Sequence, residues 1–295
     1  MTDSPATGQA AVDQLLEMLD LQRLGPSAFR GTSPQVSRQR IFGGQVAAQA
    51  LVAAGRTVDA ERTVHSLHGY FVRPGDPAVP IDFQVENIRD GRSFSVRRSV
   101  AYQHDKVIFF MSASFQVYEE GLDHHEPFPA DIPAPDGVPT VAERMARYPE
   151  RLAVVAATSP RAIDVRYLGE TGWVPPGDRP VNAEPRAWMR IDGKLPDDPL
   201  IHAAALTYAS DMTLLDAVLA THGEVWGPGG VVGASLDHAL WMHRPFRADE
   251  WFLYDCTSPN ASGARGLASG RMFAEDGRLI ASAVQEGLLR RTAAN

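Results

Sequence analysis

Three short stretches of the sequence hold polar side chains that could meet in an apolar interior and, as a set, do chemistry there. In "SAVQEGLLR" (282–290) an uncharged Gln285 stands beside a charged Glu286, "YASDMTLLDAVLA" carries Asp211, and "GASLDHALWMHRP" carries Ser235, Asp237 and His238. Strand side chains alternate between two faces. Over 279–289 this puts Leu279, Ala281, Ala283, Gln285, Gly287 and Leu289 on one uncharged face, with Glu286 on the other. Gln285 is expected to point inward, where an unpaired amide costs roughly 1–3 kcal/mol. It needs a partner, and Asp211 and Ser235 are candidates from the same half of the chain. Ser210 and Asp211 also read as the N-terminal signal of a following helix. Simple alternation does not decide which of Ser235, Asp237 and His238 faces the interior.

Other chemistries find less support. Cys256 is the single cysteine, which excludes an intrachain disulfide and a cysteine zinc cluster, and it reads as a small core residue. His65 and His68 in "HSLH" are expected on opposite faces of a strand, His124 and His125 fall in a polar segment, and no His-Glu-x-x-His helix occurs, so no metal site is expected. There is no Gly-x-Ser-x-Gly nucleophile elbow. A net charge of −8 argues against a nucleic-acid partner. No apolar run approaches the roughly 20 residues of a membrane span, and the N-terminus lacks a basic start followed by an apolar block, so a cytoplasmic protein is expected.

The elements that position these residues follow from pattern. At 295 residues and 44% hydrophobic content the chain can build one large domain or two modest ones. "AVDQLLEMLDLQRLG" reads as an amphipathic helix, and "GGQVAAQALVAAG" (43–55), small and apolar all round, as a helix buried against a sheet. Strand-like runs follow at 65–73, 81–88, 94–102 and 107–117. Residues 119–160 are proline-rich and then polar-helical, and mark a linker. A helical region at 199–220 and strand-like runs at 231–243, 251–258, 266–274 and 279–289 complete the chain.

The two halves share a register. "YFVRP" and "WMHRP" end 171 residues apart at Pro74 and Pro245, and Gly91 and Gly263 are 172 apart. An internal duplication explains this. The expected organisation is a first repeat over 1–118, a linker over 119–160 and a second repeat over 161–295, each a helix with an antiparallel meander. Joining the two sheets edge to edge would remove exposed strand edges. By the same offsets Asp211, Ser235 and Gln285 correspond to Arg40, Val64 and Ala113, so the polar set occurs in one copy only.

"RIFGGQVAAQAL", "HSLHGYFVRPGD", "RDGRSFSVRRSVAYQ", "ASFQ", "HAAALTYASDMTLL", "ASLDHALWMHRPF" and "GRLIASAVQEGLLR" together resemble, in order, the blocks of the type II acyl-CoA thioesterase family. The resemblance implies an α+β double hotdog: two fused helix-plus-antiparallel-sheet repeats forming one continuous sheet. It implies hydrolysis of fatty acyl-CoA of medium to long chain, without a cofactor, by a water held and activated by Asp211, Ser235 and Gln285. Serine stands where bacterial members carry threonine, keeping the hydroxyl but not the methyl that restricts its rotamer. Coenzyme A is anionic, and Arg92, Arg97, Arg98, Arg265 and Arg271, with Arg290 and Arg291, are the candidate phosphate contacts. Small residues of 43–55 and the pair Phe109 and Phe110 are candidates to line the acyl site, although core packing suits the aromatics better. A homo-oligomer, dimer or tetramer, is expected from the resemblance. The alternatives are a non-catalytic acyl-CoA binding protein and a hotdog enoyl-CoA hydratase using Asp237 and His238.

Overall fold

The computed structural model describes residues 7–34, 40–158, 162–170, 172–174, 184–227 and 229–292. Helix α1 (Gln9–Leu19) is followed by β1 (Gln22–Arg23), β2 (Ala28–Gly31), helix α2 (Gly43–Gly55) and the long strands β3 (Arg62–Phe71), β4 (Ile81–Asp90), β5 (Phe94–Gln103) and β6 (Lys106–Val117). The connecting segment carries the short helices α3 (Val141–Met145) and α4 (Pro149–Thr158). The second half runs β7 (Ile163–Tyr167), β8 (Arg186–Ile191), α5 (Pro199–Ser210), α6 (Asp216–His222), β9 (Val231–Ser235), β10 (Asp237–Met242), β11 (Phe252–Ser262), β12 (Arg265–Ala274) and β13 (Leu279–Arg291).

The described strands form one sheet in the order β1-β2-β4-β5-β6-β3-β10-β13-β12-β11-β8-β7, with β9 continuing alongside β13. The order is symmetric about its centre, where β3 and β10 pair antiparallel with Tyr70 opposite Asp237 and Ser66 opposite Trp241. Strands β4 and β11 begin 171 residues apart, as do β5 and β12, so the duplicated register is a duplicated meander. The α+β architecture with one continuous sheet is the expected one. The short edge strands β1, β2, β7 and β8 were not anticipated, because pieces such as "AFRG" and "RAWMRI" mix charge with apolar residues and show little alternation.

Two departures from the simple repeat build the site. The α2 range shifted by 171 falls on 214–226, where the chain forms only the short α6; α5 precedes it as an added helix. Helices α2 and α5 run antiparallel at close range: a Cβ on Gly44 would lie 2.5 Å from the Tyr208 carbonyl oxygen, and one on Gly55 2.5 Å from the Leu200 side chain. Uncharged, small-residue faces permit that approach, and Ala47, Ala50, Ala54, Ala203 and Ala204 are all buried.

The second departure is in the run 231–243, which is two strands rather than one. Ser235 pairs with Gly287 but Ala239 with Val284, so β9–β10 carries one residue more than β13 over the same span. This bulge lets Ser235 and His238, three residues apart, both turn to the inner face. Asp237 Oδ1 secures it by accepting a hydrogen bond from the Glu286 backbone N–H at 2.6 Å.

Candidate active site

Asp211 closes α5. Asp198 starts that helix, its side chain accepting from the Leu200 N–H, and Asp211 ends it in right-handed helical conformation (φ −83°, ψ −1°). The reading of Asp211 as an N-terminal cap is therefore corrected: α6 begins only at Asp216, after a turn. Because α5 and α2 are antiparallel, the end of α5 lies against the start of α2. The Asp211 carboxylate meets the free N–H groups and the positive end of the α2 dipole, a favourable place for an anion.

Three donors converge on that carboxylate. Gln285 Nε2 donates to Oδ1 at 2.5 Å, Ser235 Oγ donates to Oδ1 at 3.1 Å, and the Gly44 backbone N–H donates to Oδ2 at 2.8 Å. Sequence-predicted Asp211, Ser235 and Gln285 are thus brought into one cluster. Gln285 is fully buried on the inner face, as alternation along its strand requires, while Asp211 and Ser235 are half-buried. A carboxylate offers about four acceptor sites. Three are filled, so one remains on Oδ2. The Gln285 Oε1 atom is buried without a hydrogen-bond partner among the described residues.

The sequence reading missed Gly43 and Gly44 as site residues, although their adjacent glycines at a helix start were a signal of close backbone approach. A Cβ on Gly43 would sit 2.7 Å from Asp211 Oδ2 and 3.0 Å from the Phe71 ring; one on Gly44 would meet the Phe42 ring at 2.5 Å. Phe42 in turn stacks edge-on with Tyr208 at 5.2 Å. The carboxylate therefore has an apolar wall from the first half. Phe109 is buried on this inner side, 5.0 Å from the Phe71 ring, whereas Phe110 faces outward beside Tyr70 and cannot line the same space.

The arginines divide. Arg97 is buried, and all three of its nitrogens are bonded: Nε to Thr57 Oγ1, Nη1 to the Arg89 and Val96 carbonyls, Nη2 to the Thr57 carbonyl and Asp90. It joins β5 to the end of α2 and is withdrawn as a phosphate contact. Arg271 is withdrawn too, since it clamps Glu126 of the connecting segment and the buried Asp255. Arg92, Arg98 and Arg265 keep exposed side chains, Arg98 beside Glu86 at 3.5 Å and Arg265 beside Glu286 at 3.0 Å. Arg290 and Arg291 are exposed at the end of β13, Arg291 2.6 Å from Glu224.

His65 and His68 both lie on the outer face, contrary to the alternation expected of them, because β3 is bulged between Val64 and Ser66. His65 Nε2 hydrogen-bonds with Ser114 Oγ at 2.8 Å, and His68 packs edge-on against Trp241 at 4.8 Å. No cluster of metal-ligating side chains occurs among the described residues. Cys256 is a buried core thiol whose pKa burial pushes well up, which removes it as a nucleophile. Asp237 and His238 act in different places, Asp237 on the Glu286 N–H and His238 on Ser210, so they form no acid–base pair.

The models of known families match both halves: "Acyl-CoA thioesterase N-terminal domain" over residues 32–116 and "Acyl-CoA thioesterase" over 173–288. Acyl-CoA thioesterase 2 of Haemophilus influenzae is 37% identical over 284 residues, covering 95% of this chain and 98% of that one. Among solved structures, the acyl-CoA thioesterase II TesB2 from Mycobacterium marinum is 41% identical with a TM-score of 0.74, covering 96% and 99% of the two chains. A protein from Alicyclobacillus acidocaldarius described as having a hot dog fold, only 19% identical, superposes with a TM-score of 0.75 over 94% and 98%, which supports the double hotdog fold. With agreement along nearly the whole length of chain and relative alike, this chain belongs to the acyl-CoA thioesterase family.

Proposed function

We propose that the chain hydrolyses fatty acyl-CoA to free fatty acid and coenzyme A, with Asp211 as general base. The observation that carries this reading is the half-buried Asp211 carboxylate, oriented by a glutamine, a hydroxyl and a helix N-terminus, with one acceptor site left. A water there hydrogen-bonds to Asp211 Oδ2, leaving its lone pair directed outward. That lone pair attacks the thioester carbonyl carbon as Asp211 takes a proton. The positive end of α2 lies beside the growing oxyanion. When the tetrahedral intermediate collapses, the C–S bond breaks and the proton passes to the departing sulfur. Ser235 and Gln285 hold the base in place through Oδ1.

Phe42 and Phe71 beside the carboxylate suit an apolar acyl group, and we assign medium to long chains as the preferred class. Arg92, Arg98 and Arg265 are the remaining candidate phosphate contacts, and their charge reversal is expected to raise KM. We also propose that the protein acts on acyl-CoA in the cytoplasm as a homo-oligomer, dimer or tetramer. The exposed Tyr70, Ile88 and Phe94 on the first half's outer face favour association, which sedimentation equilibrium measures.

The test is thiol release from acyl-CoA esters of increasing chain length by the wild type, Asp211→Asn and Gln285→Ala, with folding checked by circular dichroism. Activity in the wild type and its loss in both variants is expected. Binding without thiol release in the wild type would instead leave a non-catalytic acyl-CoA binder.

A further inference from the structure

His238 is buried on the inner face of β10, and the water-activation scheme above does not use it. We propose that His238 is a positioning residue for this site, fixing Asp211 through Ser210; the inference rests on the reading of Asp211 as the base. His238 Nε2 lies 2.7 Å from Ser210 Oγ. The same hydroxyl is 2.9 Å from the Thr207 carbonyl, which can only accept. A hydroxyl has one proton. Ser210 therefore donates it to Thr207 and accepts from His238, which makes the imidazole the Nε2–H tautomer. Burial disfavours its charged form, in keeping with a neutral ring.

Ser210 is held a second time: Tyr254 Oη donates to its carbonyl oxygen at 3.0 Å. The residue directly before the base is thus gripped through its hydroxyl by β10 and through its carbonyl by β11. This is where α5 stops and intrahelical bonding no longer constrains the backbone. The β9–β10 bulge is what allows one short segment to supply Ser235 to Asp211 and His238 to Ser210. His238 Nδ1 is buried without a partner among the described residues, so the fold uses the ring through Nε2 alone. An Asp211 set free by about 1 Å would lose its aim, a displacement able to cost about a hundredfold in rate.

The two nitrogens can be told apart by amide substitution. Glutamine carries its N–H about where Nε2 stands, whereas asparagine carries it near Nδ1 and falls short of Ser210. We expect His238→Asn and Ser210→Ala each to lower kcat for a fatty acyl-CoA by about tenfold or more with KM within about twofold, and His238→Gln to recover most of the loss. The His238→Asn/Ser210→Ala double variant should be no worse than its poorer parent, since both act through one bond. An unchanged kcat in folded Ser210→Ala overturns the proposal, and so does equal loss in the Gln and Asn variants at position 238. Should His238→Asn not fold, Ser210→Ala with the Gln variant still decides. A wild type that releases no thiol sinks the hydrolase reading and this inference together, whereas an active wild type with an indifferent Ser210→Ala sinks this inference alone.

Discussion

Three positions of the duplicated scaffold hold different residues in the two halves. Where the second half has Asp211, Ser235 and Gln285, the first has Arg40, Val64 and Ala113. Ala113 is as deeply buried as Gln285, so the same inner-face slot accepts an apolar methyl in one copy and a primary amide in the other. The amide is tolerable only because Asp211 receives its N–H. Arg40, at the position of the base, is exposed and donates from Nη2 to the Gly233 carbonyl at 2.8 Å, on the strand that presents Ser235. The first half has thus taken a supporting role: it supplies the Gly44 N–H and the aromatic wall, and it braces β9. One sheet serves for both; the inserted α5 is what makes the second half the carrier of the base.

The outer faces differ as well. On the second half, Trp188, Leu253 and Phe273 are covered by Phe128, Ile132 and Val138 of the connecting segment, and Trp188 Nε1 donates to the Pro133 carbonyl at 2.8 Å. Arg244 and Arg271 pin the same segment through Asp123 and Glu126. The corresponding face of the first half leaves Tyr70 56% and Ile88 57% exposed. The proline-rich stretch between the repeats is therefore part of one half's packing as well as a connection.

Substitutions can break this asymmetry in graded steps. Asp211→Asn keeps the shape and removes the base, and should lower kcat by about 10²–10⁴-fold, measured as thiol release. Retention of near-wild-type rate would mean that the second half does not carry the chemistry. Gln285→Ala makes the slot like its first-half counterpart and should cost about ten- to a hundredfold in kcat. Its mirror, Ala113→Gln, should destabilise the fold by about 1–3 kcal/mol in urea unfolding, because a buried amide there has no carboxylate to meet, while activity per folded molecule is unchanged.

Smaller effects test the joint between the halves. Gly44→Ala drives a methyl at the Tyr208 carbonyl and should lower both Tm and kcat, whereas Gly137→Ala, with nothing within 4 Å, should move neither. Burial lowers the pKa of His65, His202, His238 and His243, three of them in the second half. Unfolded imidazoles bind protons near pH 6.5, while the folded ones bind them only at lower pH. Stability should be flat above about pH 6.5 and fall as pH drops below it toward the folded values, because the unfolded chain takes up protons first. Thermal unfolding across that range checks the slope, which His238→Gln should flatten. Smallest of all, Ser235→Thr should leave kcat within about twofold, since the hydroxyl that donates to Asp211 survives.

Much of this was legible in the chain. Alternation over 281–287 placed Gln285 inward because a strand buried on one face cannot slip by one residue without exposing its apolar set. A bulge at Ile280, however, turns Leu279, expected on the same face, to the outer side and Ile280 into the core. The all-apolar run 43–55 announced a buried helix, and the common offset announced a repeated meander. What local pattern could not supply was any feature created by an inserted residue or by a neighbour. The extra residue in β9–β10 and the bulge in β3 reversed the facing of His238 relative to Ser235 and of His65 relative to His68. Arg97 and Arg271 looked like available cations, and only packing showed their nitrogens committed.

The sequence by itself determined the antiparallel repeats, their register and the polar residues confined to one copy, since strand alternation and turn chemistry act over a few neighbouring residues. Tertiary structure alone decided that Asp211 ends α5 and faces the start of α2. That contact joins residues 167 apart in the chain, and it depends on the closeness of two helices whose glycines and alanines allow them to approach.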